Sequence, residues 1–555
     1  MNYFLSISFF ICTLSVFSQT GDKYFILLSD KTGTPFTTAN PQQFLSQRAI
    51  DRRTNQGIAI NETDLPVNPS YVSQISSAGA TVLYTSKWFN AVVAVIPNPT
   101  VLASVNALPF VSSSATVNRL HGTIPKQEIE IVSSGSKLSS VNSMYDYGGS
   151  LNQIEMLNGV CMHDQGFNGA GMLIAVLDAG FANADTHSAF DSLWANNQIL
   201  GTKDFTFTTP LDLYSSSTSG HGTSVLSCIG GNIPGQLVGT APKANFWLIR
   251  SEFANTEYIV EEYNWVAAAE FADSVGADII NSSLGYNTFD NASQDHTMSQ
   301  LDGRTSYASL AANMCARKGI VVCNSAGNSG TTSWPKITFP ADADSILTVG
   351  GVDPNENIAS FSSMGPSADG RVKPEVVAQA VGSVLASGTN NIITGNGTSF
   401  SSPITAGMVA CLWQSVSNKK NMEIIEAIKQ SSSLYTTPNN QFGYGIPDYC
   451  AARSILVGIN EITANSSSLL SLNSSNPFSD EIKFSVNSTK ASPVKIYLYN
   501  SLGALVFYDE LTASSSNGKQ IYSISTESIA AGFYTLVARS ETGTVSYKLI
   551  KADRN

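Results

Sequence analysis

The sequence predicts an α/β fold: a doubly wound, mostly parallel sheet, preceded by a small α+β domain and followed by a β-sandwich. Three observations predict it. Across residues 151–458, short and almost wholly apolar runs recur between helical segments, the mark of parallel strands buried on both faces. Residues 23–117 carry a separate alternation of strands and helices. After residue 476 the pattern changes to a period of two, as in strands with one buried face. A chain of 555 residues has room for two to four such domains.

Residues 1–18 read as a secretory signal peptide. Phe4–Phe17 is apolar, is interrupted by Ser6, Ser8 and Ser15, and is too short to span a bilayer. Val16 and Ser18 suit the small positions of a cleavage site, so the mature chain is expected to begin near Gln19. No later run is long and apolar enough to cross a membrane.

Residues 19–117 form the α+β domain. Tyr24–Leu28 is a strand. Asn40-Pro41 opens a helix through Arg53, with Pro at its first position, and Asn68-Pro69 opens a second that Gly79 stops. Thr81–Ser86 and Phe89–Ile96 are strands, Thr100–Asn106 a short helix, Val111–Ser114 a last strand. The order β-α-β-β-α-β, with one added helix, is ferredoxin-like. Residues 118–150, rich in Ser and Gly, are an exposed linker of the kind proteases cut.

In the domain 151–458, Leu173–Leu177, Phe246–Ile249, Ile279–Asn281, Ile320–Cys323 and Ile346–Val349 are the buried strands. Val260–Ser274 and Ser306–Lys318 are helices between them. Residues 459–475 are a second linker, rich in Ser and Asn. In 476–555 the alternating strands are Ile482–Val486, Val494–Asn500, Ala504–Tyr508, Gln520–Ser525, Phe533–Arg539 and Val545–Lys551.

The net charge is −12, and charged residues make up 13% of the chain, about half the roughly 25% usual in soluble domains. With no Lys/Arg block, the composition argues against a nucleic-acid partner. Of seven cysteines, Cys12 lies in the signal segment. Cys161, Cys228, Cys315, Cys323, Cys411 and Cys450 form neither a dense disulfide framework nor a zinc pattern, and several sit in apolar runs, so buried free thiols are expected.

Chemistry concentrates at four positions. Ser399, in Asn396-Gly-Thr-Ser-Phe-Ser-Ser-Pro403, opens an apolar helix, where backbone N–H groups and the helix dipole favour negative charge. His221 lies between Gly220 and Gly222 at the start of another helix and has the titration range of a general base. Asp178 ends the run Ile174–Leu177, and a carboxylate at the carboxyl end of a parallel strand can orient a histidine. Asn328 follows a buried strand, where its amide can donate to an oxyanion. Read singly, each of the last three fits a plain turn or helix-start role; their order along the chain, Asp178, His221, Asn328, Ser399, is what carries information.

That order resembles the subtilisin-like serine proteases, and further segments extend the resemblance over roughly residues 151–455. They are Gly239-Thr-Ala-Pro-Lys-Ala244, Ala277-Asp-Ile-Ile-Asn-Ser-Ser-Leu-Gly285, Phe361-Ser-Ser-Met-Gly-Pro366 and Lys373-Pro-Glu-Val376. The resemblance implies a serine endopeptidase acting through an acyl-enzyme. Ser399 is then the nucleophile, His221 the base, Asp178 its orienter, and Asn328 with the Ser399 N–H the oxyanion donors. Ser283, Leu284 and Gly285 become the edge that pairs with substrate backbone, and Ser325, Ala326 and Gly327 the wall of the primary specificity pocket. Ala179 stands where the family usually has a hydroxyl residue, Ser224 where it usually has a second histidine, and Phe400-Ser401 where Met-Ala is commoner.

Residues 19–117 resemble the inhibitory propeptide of such enzymes, which implies a zymogen cut in the 118–150 linker. The tail resembles the C-terminal sorting domain of type IX secretion, on Asn476-Pro477-Phe478, Val494–Gly503, Ala531-Gly532-Phe533-Tyr534 and Lys548-Leu549-Ile550-Lys551. Expected partners are therefore protein or peptide substrates, the chain's own propeptide as inhibitor, and secretion machinery. Calcium is common in the family, but no ligand loop is readable, so no cofactor and no metal ligand is assigned. The alternative is a non-catalytic surface adhesin or scaffold on a protease-like fold. An α/β-hydrolase esterase is excluded, because Gly397-Thr-Ser-Phe-Ser401 lacks the second glycine and the residue order differs.

Overall fold

The structure, a computed structural model, describes residues 21–118, 130–131, 143–206, 212–457, 470–472, 478–486, 493–500, 504–512, 520–540 and 543–552. The signal segment 1–18, much of both linkers, Asn476-Pro477 and residues 501–503 lie outside these residues. The chain divides into two compact units, Met1–Leu456 and Val457–Asn555.

The core of the first unit is a seven-stranded, wholly parallel sheet. Its strands lie in the order Val376–Gln379, Leu347–Val352, Val321–Ser325, Ile279–Ser282, Leu173–Asp178, Asn245–Arg250 and Ile199–Asp204. Alternate residues of the central strand serve opposite faces. Ile174 and Val176 join the layer of helices His221–Gly230 and Thr398–Ser415. Leu173, Ala175 and Leu177 join that of Val260–Val275 and Tyr307–Arg317. Both faces are covered, which is why these strands read as continuous apolar runs. The edge strand Ile199–Asp204 is largely exposed or half-buried, and the continuous apolar run of a strand buried on both faces is absent from it.

Residues 22–118 form an antiparallel sheet in the order Thr81–Ser86, Ala91–Ile96, Asp22–Leu28, Val111–Asn118, the expected ferredoxin-like arrangement. The helix expected from Pro41 to Arg53 is instead one 3-10 turn, Pro41–Gln43, and a separate α-helix, Gln47–Gln56. Ser46 explains the break: its Oγ accepts the Ala49 N–H at 3.2 Å and caps a new helix. The strand expected from Phe89 begins at Ala91, because Asn90 turns the chain at φ 49°. The 118–150 linker is not exposed throughout. Glu130–Ile131 pairs antiparallel with Gly395–Asn396, and Tyr147 and Ser150 are buried.

This amino-terminal domain packs on helix Val260–Val275 through buried charge. The Asp273 carboxylate accepts from Arg52 and Arg53, each at 2.6 Å, and from Lys87 at 2.9 Å. Burial alone would raise its pKa, but the three cations outweigh burial and hold it below the usual carboxylate range. Glu270, one turn earlier, accepts from Ser86 Oγ at 2.5 Å and from the N–H groups of Lys87 and Trp88 at 2.7 and 3.1 Å. Asp64 joins Arg53 to Lys318 across the same interface.

The cysteine expectation is corrected at one pair. Cys161 and Cys450 form a disulfide, although 289 residues separate them and no spacing pattern linked them. Cys228, Cys315, Cys323 and Cys411 are free and buried.

The second unit is a β-sandwich. One sheet contains Leu470–Leu472, Glu481–Val486 and Gln520–Ser525. The other runs Leu505–Thr512, Pro493–Asn500, Gly532–Ser540, Gly543–Lys551. Ile482, Phe484 and Ile524 of the first meet Val494, Ile496, Leu498 and Leu536 of the second, which accounts for the period-two pattern. Among the described residues no helix is long and apolar enough to cross a membrane.

Removing Asp273 strands three cations in a buried interface. Asp273→Ala in the full chain is expected to weaken docking of the amino-terminal domain by about 3–5 kcal/mol. Faster amide exchange across Gln47–Gln56 by mass spectrometry checks it; unchanged exchange contradicts it.

Candidate active site

Parallel register brings the carboxyl ends of three strands side by side. Leu177 pairs with Ser282, and Ser282 with Asn324. The next residues along, Asp178, Ser283 and Ser325, therefore lie at one level at the carboxyl end of the sheet.

Asp178 is fully buried at the end of its strand. Its Oδ1 accepts the Ala179 N–H at 2.8 Å. Its two oxygens stand 2.9 and 3.0 Å from His221 Nδ1. A carboxylate can only accept there, so Nδ1 carries the proton and Nε2 keeps its lone pair. The His221 side chain is 23% exposed. Two glycines permit this approach. A methyl on Gly222 would meet Gly180 O at 2.4 Å and Asp178 Cβ at 2.9 Å. Gly180 itself has φ 153°, a conformation that favours glycine. Arg250 Nε donates to Ala179 O at 3.0 Å and fixes the chain just beyond the carboxylate.

Ser399 is the second residue of helix Thr398–Ser415 and is half-buried. Pro403 lies four residues on and has no N–H to give to the Ser399 carbonyl. Ser283 Oγ donates to that carbonyl instead, at 2.9 Å. The Ser283 hydroxyl thus ties the helix start to the strand Ile279–Ser282. Phe400 places its ring 6.3 Å from that of His221, so helix and histidine share a packing contact.

Asn328 faces the same turn. Its Oδ1 accepts from the Thr398 N–H at 2.8 Å and the Thr398 hydroxyl at 2.9 Å. With the oxygen so engaged, the Nδ2 group is the free donor end, and it lies 3.4 Å from where a Cβ on Gly397 would sit. Thr398 Oγ1 also accepts the Gly327 N–H at 3.2 Å. Sequence reasoning gave no role to Thr398 or Arg250 and noted Phe400 only as a departure from the commoner Met; a threonine next to the serine at a helix start was the available signal. Ser283 and Leu284 are buried and Gly285 half-buried. Ser325 and Ala326 are buried, and Gly327 turns at φ 106°.

The remaining described histidines have other work. His163 is buried between the Tyr147 hydroxyl at 2.7 Å and Thr240 O at 2.9 Å, and burial pushes its pKa down. His187 caps a 3-10 turn through its Nδ1. His296 pairs with Glu262 at 2.5 Å. His121 lies outside the described residues. Ser224 donates to Ala386 O at 2.8 Å, a structural bond. Among the described residues no group of three or more His, Cys, Asp or Glu side chains could hold a metal ion.

Residues 169–445 match the subtilase family (Peptidase S8). Residues 23–131 match the peptidase S8 propeptide domain of Bacteroidota, and residues 476–552 a secretion system C-terminal sorting domain. The chain is 31% identical to subtilisin DY of Bacillus licheniformis over 287 residues, 51% of this chain and 89% of that one. It is 30% identical to subtilisin BL of Lederbergia lenta over 294 residues, 52% of this chain and 93% of that one. It is 28% identical to serine protease AprX of Bacillus subtilis (strain 168) over 323 residues, 52% and 67% of the two.

The glycines around His221 give a paired expectation. Gly222→Ala overpacks the Asp178–His221 contact and should cost about 1–3 kcal/mol of stability. Nothing lies within 4 Å of a Cβ on Gly220, so Gly220→Ala should stay within about 0.5 kcal/mol of the parent. Thermal unfolding of the two variants separates them; equal midpoints would contradict the close approach.

Proposed function

We propose, for a chain that belongs to the subtilase family and is a secreted serine protease made as a zymogen, that peptide bonds are cleaved internally at Ser399 through an acyl-enzyme. His221 Nε2 takes the proton of Ser399 Oγ as the oxygen attacks the substrate carbonyl, and returns it to the leaving amine. Asp178 holds the imidazole in the tautomer that leaves Nε2 basic and stabilises the imidazolium that forms. The Asn328 Nδ2 group and the Ser399 N–H donate to the oxyanion. The substrate backbone lies along Ser283–Gly285, and Ser325–Gly327 flank the side chain of the residue whose carbonyl is attacked. The observation that carries this reading is the doubly anchored His221–Asp178 contact beside a helix start whose second residue is a serine.

The sorting domain marks the chain for type IX secretion, so the protein is secreted or at the cell surface. The domain plan follows: a signal peptide at 1–18, an inhibitory domain at 19–117, a linker at 118–150 where maturation cuts, the peptidase at 151–458, a linker at 459–475, and the sorting domain at 476–555 that engages secretion machinery. The mature peptidase acts on protein or peptide substrates. No cofactor takes part, and no calcium ligands are assigned.

A fluorophosphonate probe tests the centre. The mature protein should take one label at pH 8 on Ser399, and Ser399→Ala should take none. Asp178→Asn should lower kcat by about four orders of magnitude. An unlabelled parent protein would refute the reading.

A further inference from the structure

Gly285 and Gly327 lie on the two segments that flank the proposed substrate pocket. A Cβ built on Gly285 would fall 2.1 Å from Thr338 Oγ1, and one on Gly327 would fall 3.3 Å from the same atom. Thr338 is therefore the side chain that stands between the two segments. Its main chain is held from both sides: the N–H donates to Ala326 O at 3.3 Å, and the carbonyl accepts the Ala341 N–H at 2.8 Å. Thr338 is 6% exposed, yet its hydroxyl has no hydrogen-bond partner among the described residues. Ser363 Oγ also adjoins Gly327, but it is engaged by the Ser329 N–H at 3.1 Å.

A buried hydroxyl without a partner is costly, and its cost is relieved by any group that brings a matching donor or acceptor. A site that holds such a group discriminates strongly in favour of substrates that complete the bond. An ionised side chain would lose its hydration there with only a neutral hydroxyl to meet it, so the position favours uncharged partners. The threonine also fills space between two glycines that would otherwise stay open, which favours a short substrate side chain over a ring.

We infer that Thr338 sets the substrate class of the proposed protease: at the residue whose carbonyl is attacked it selects short, uncharged, hydrogen-bonding side chains, namely serine, threonine or asparagine. The inference rests on the reading of Ser283–Gly285 and Ser325–Gly327 as the pocket walls.

Chromogenic peptides of sequence Ala-Ala-Pro-X-p-nitroanilide, with X as Ser, Ala, Asn, Leu or Phe, test it on the mature protein. The ratio of kcat/KM for Asn over Leu, which have similar shapes, should be about tenfold or more, and Ser should exceed Phe by at least as much. Thr338→Val should bring the Asn/Leu ratio close to one, and Thr338→Ser, which keeps the hydroxyl, should preserve it. Thr338→Gly should raise Phe relative to Ser by about tenfold. A parent enzyme that prefers Leu or Phe, or a valine variant with an unchanged Asn/Leu ratio, overturns the inference while the protease reading stands. A protein that takes no fluorophosphonate and cleaves no peptide overturns both.

Discussion

The arrangement at the site depends on parallel register in the sheet. Three strands, Leu173–Asp178, Ile279–Ser282 and Val321–Ser325, run the same way and end at the same level. Parallel strands need crossover connections, so residues far apart in the chain must leave the sheet together on one side. A carboxylate, a serine hydroxyl and a glycine-turned loop are delivered there with no local sequence relation among them. Two helix starts, at His221 and Thr398, are then packed against those ends. A shift of one residue in any of the three strands would send its terminal side chain to the opposite face.

What holds the helix starts in place is a set of substitutions for absent bonds. Pro403 withholds an N–H from the Ser399 carbonyl, and Ser283 supplies a hydroxyl in its stead. Asn328 turns its oxygen to the Thr398 N–H, one of the helix-start donors that no turn of the helix can satisfy. The first turn of Thr398–Ser415 is therefore anchored to two separate strand ends. Glycine does the rest at Gly222, where any side chain would collide with Gly180 and Asp178.

Much of this was legible in the sequence, and the parts that were not share physical causes. Runs such as Ile174–Leu177 announce buried parallel strands because both of their faces are dry. The edge strand Ile199–Asp204 is wet on one side and carries Gly, Thr and Lys, so it escapes that signal. The helix break at Ser46 depends on whether a serine caps or merely interrupts, which the order of residues alone does not decide. The Cys161–Cys450 bond depends on tertiary proximity across 289 residues. At the candidate site, Asp178, His221, Asn328 and Ser399 stood out by type and order. Thr398, Phe400, Arg250 and Thr338 did not, because their importance lies in what they touch. The charged surface of Val260–Val275 was equally silent: nothing local to Glu270 and Asp273 marks them as covered by the amino-terminal domain.

The bond between Cys161 and Cys450 has a further consequence. It joins the first helices of the peptidase region to its last one, Tyr449–Leu456, and so encloses nearly the whole peptidase sequence in a covalent ring. A single break in any loop within the ring leaves one connected molecule, with the two new ends still tethered through sulfur. A protein that works among proteases, its own copies included, can thus be nicked once and keep its fragments together long enough for the packed sheet to hold its shape.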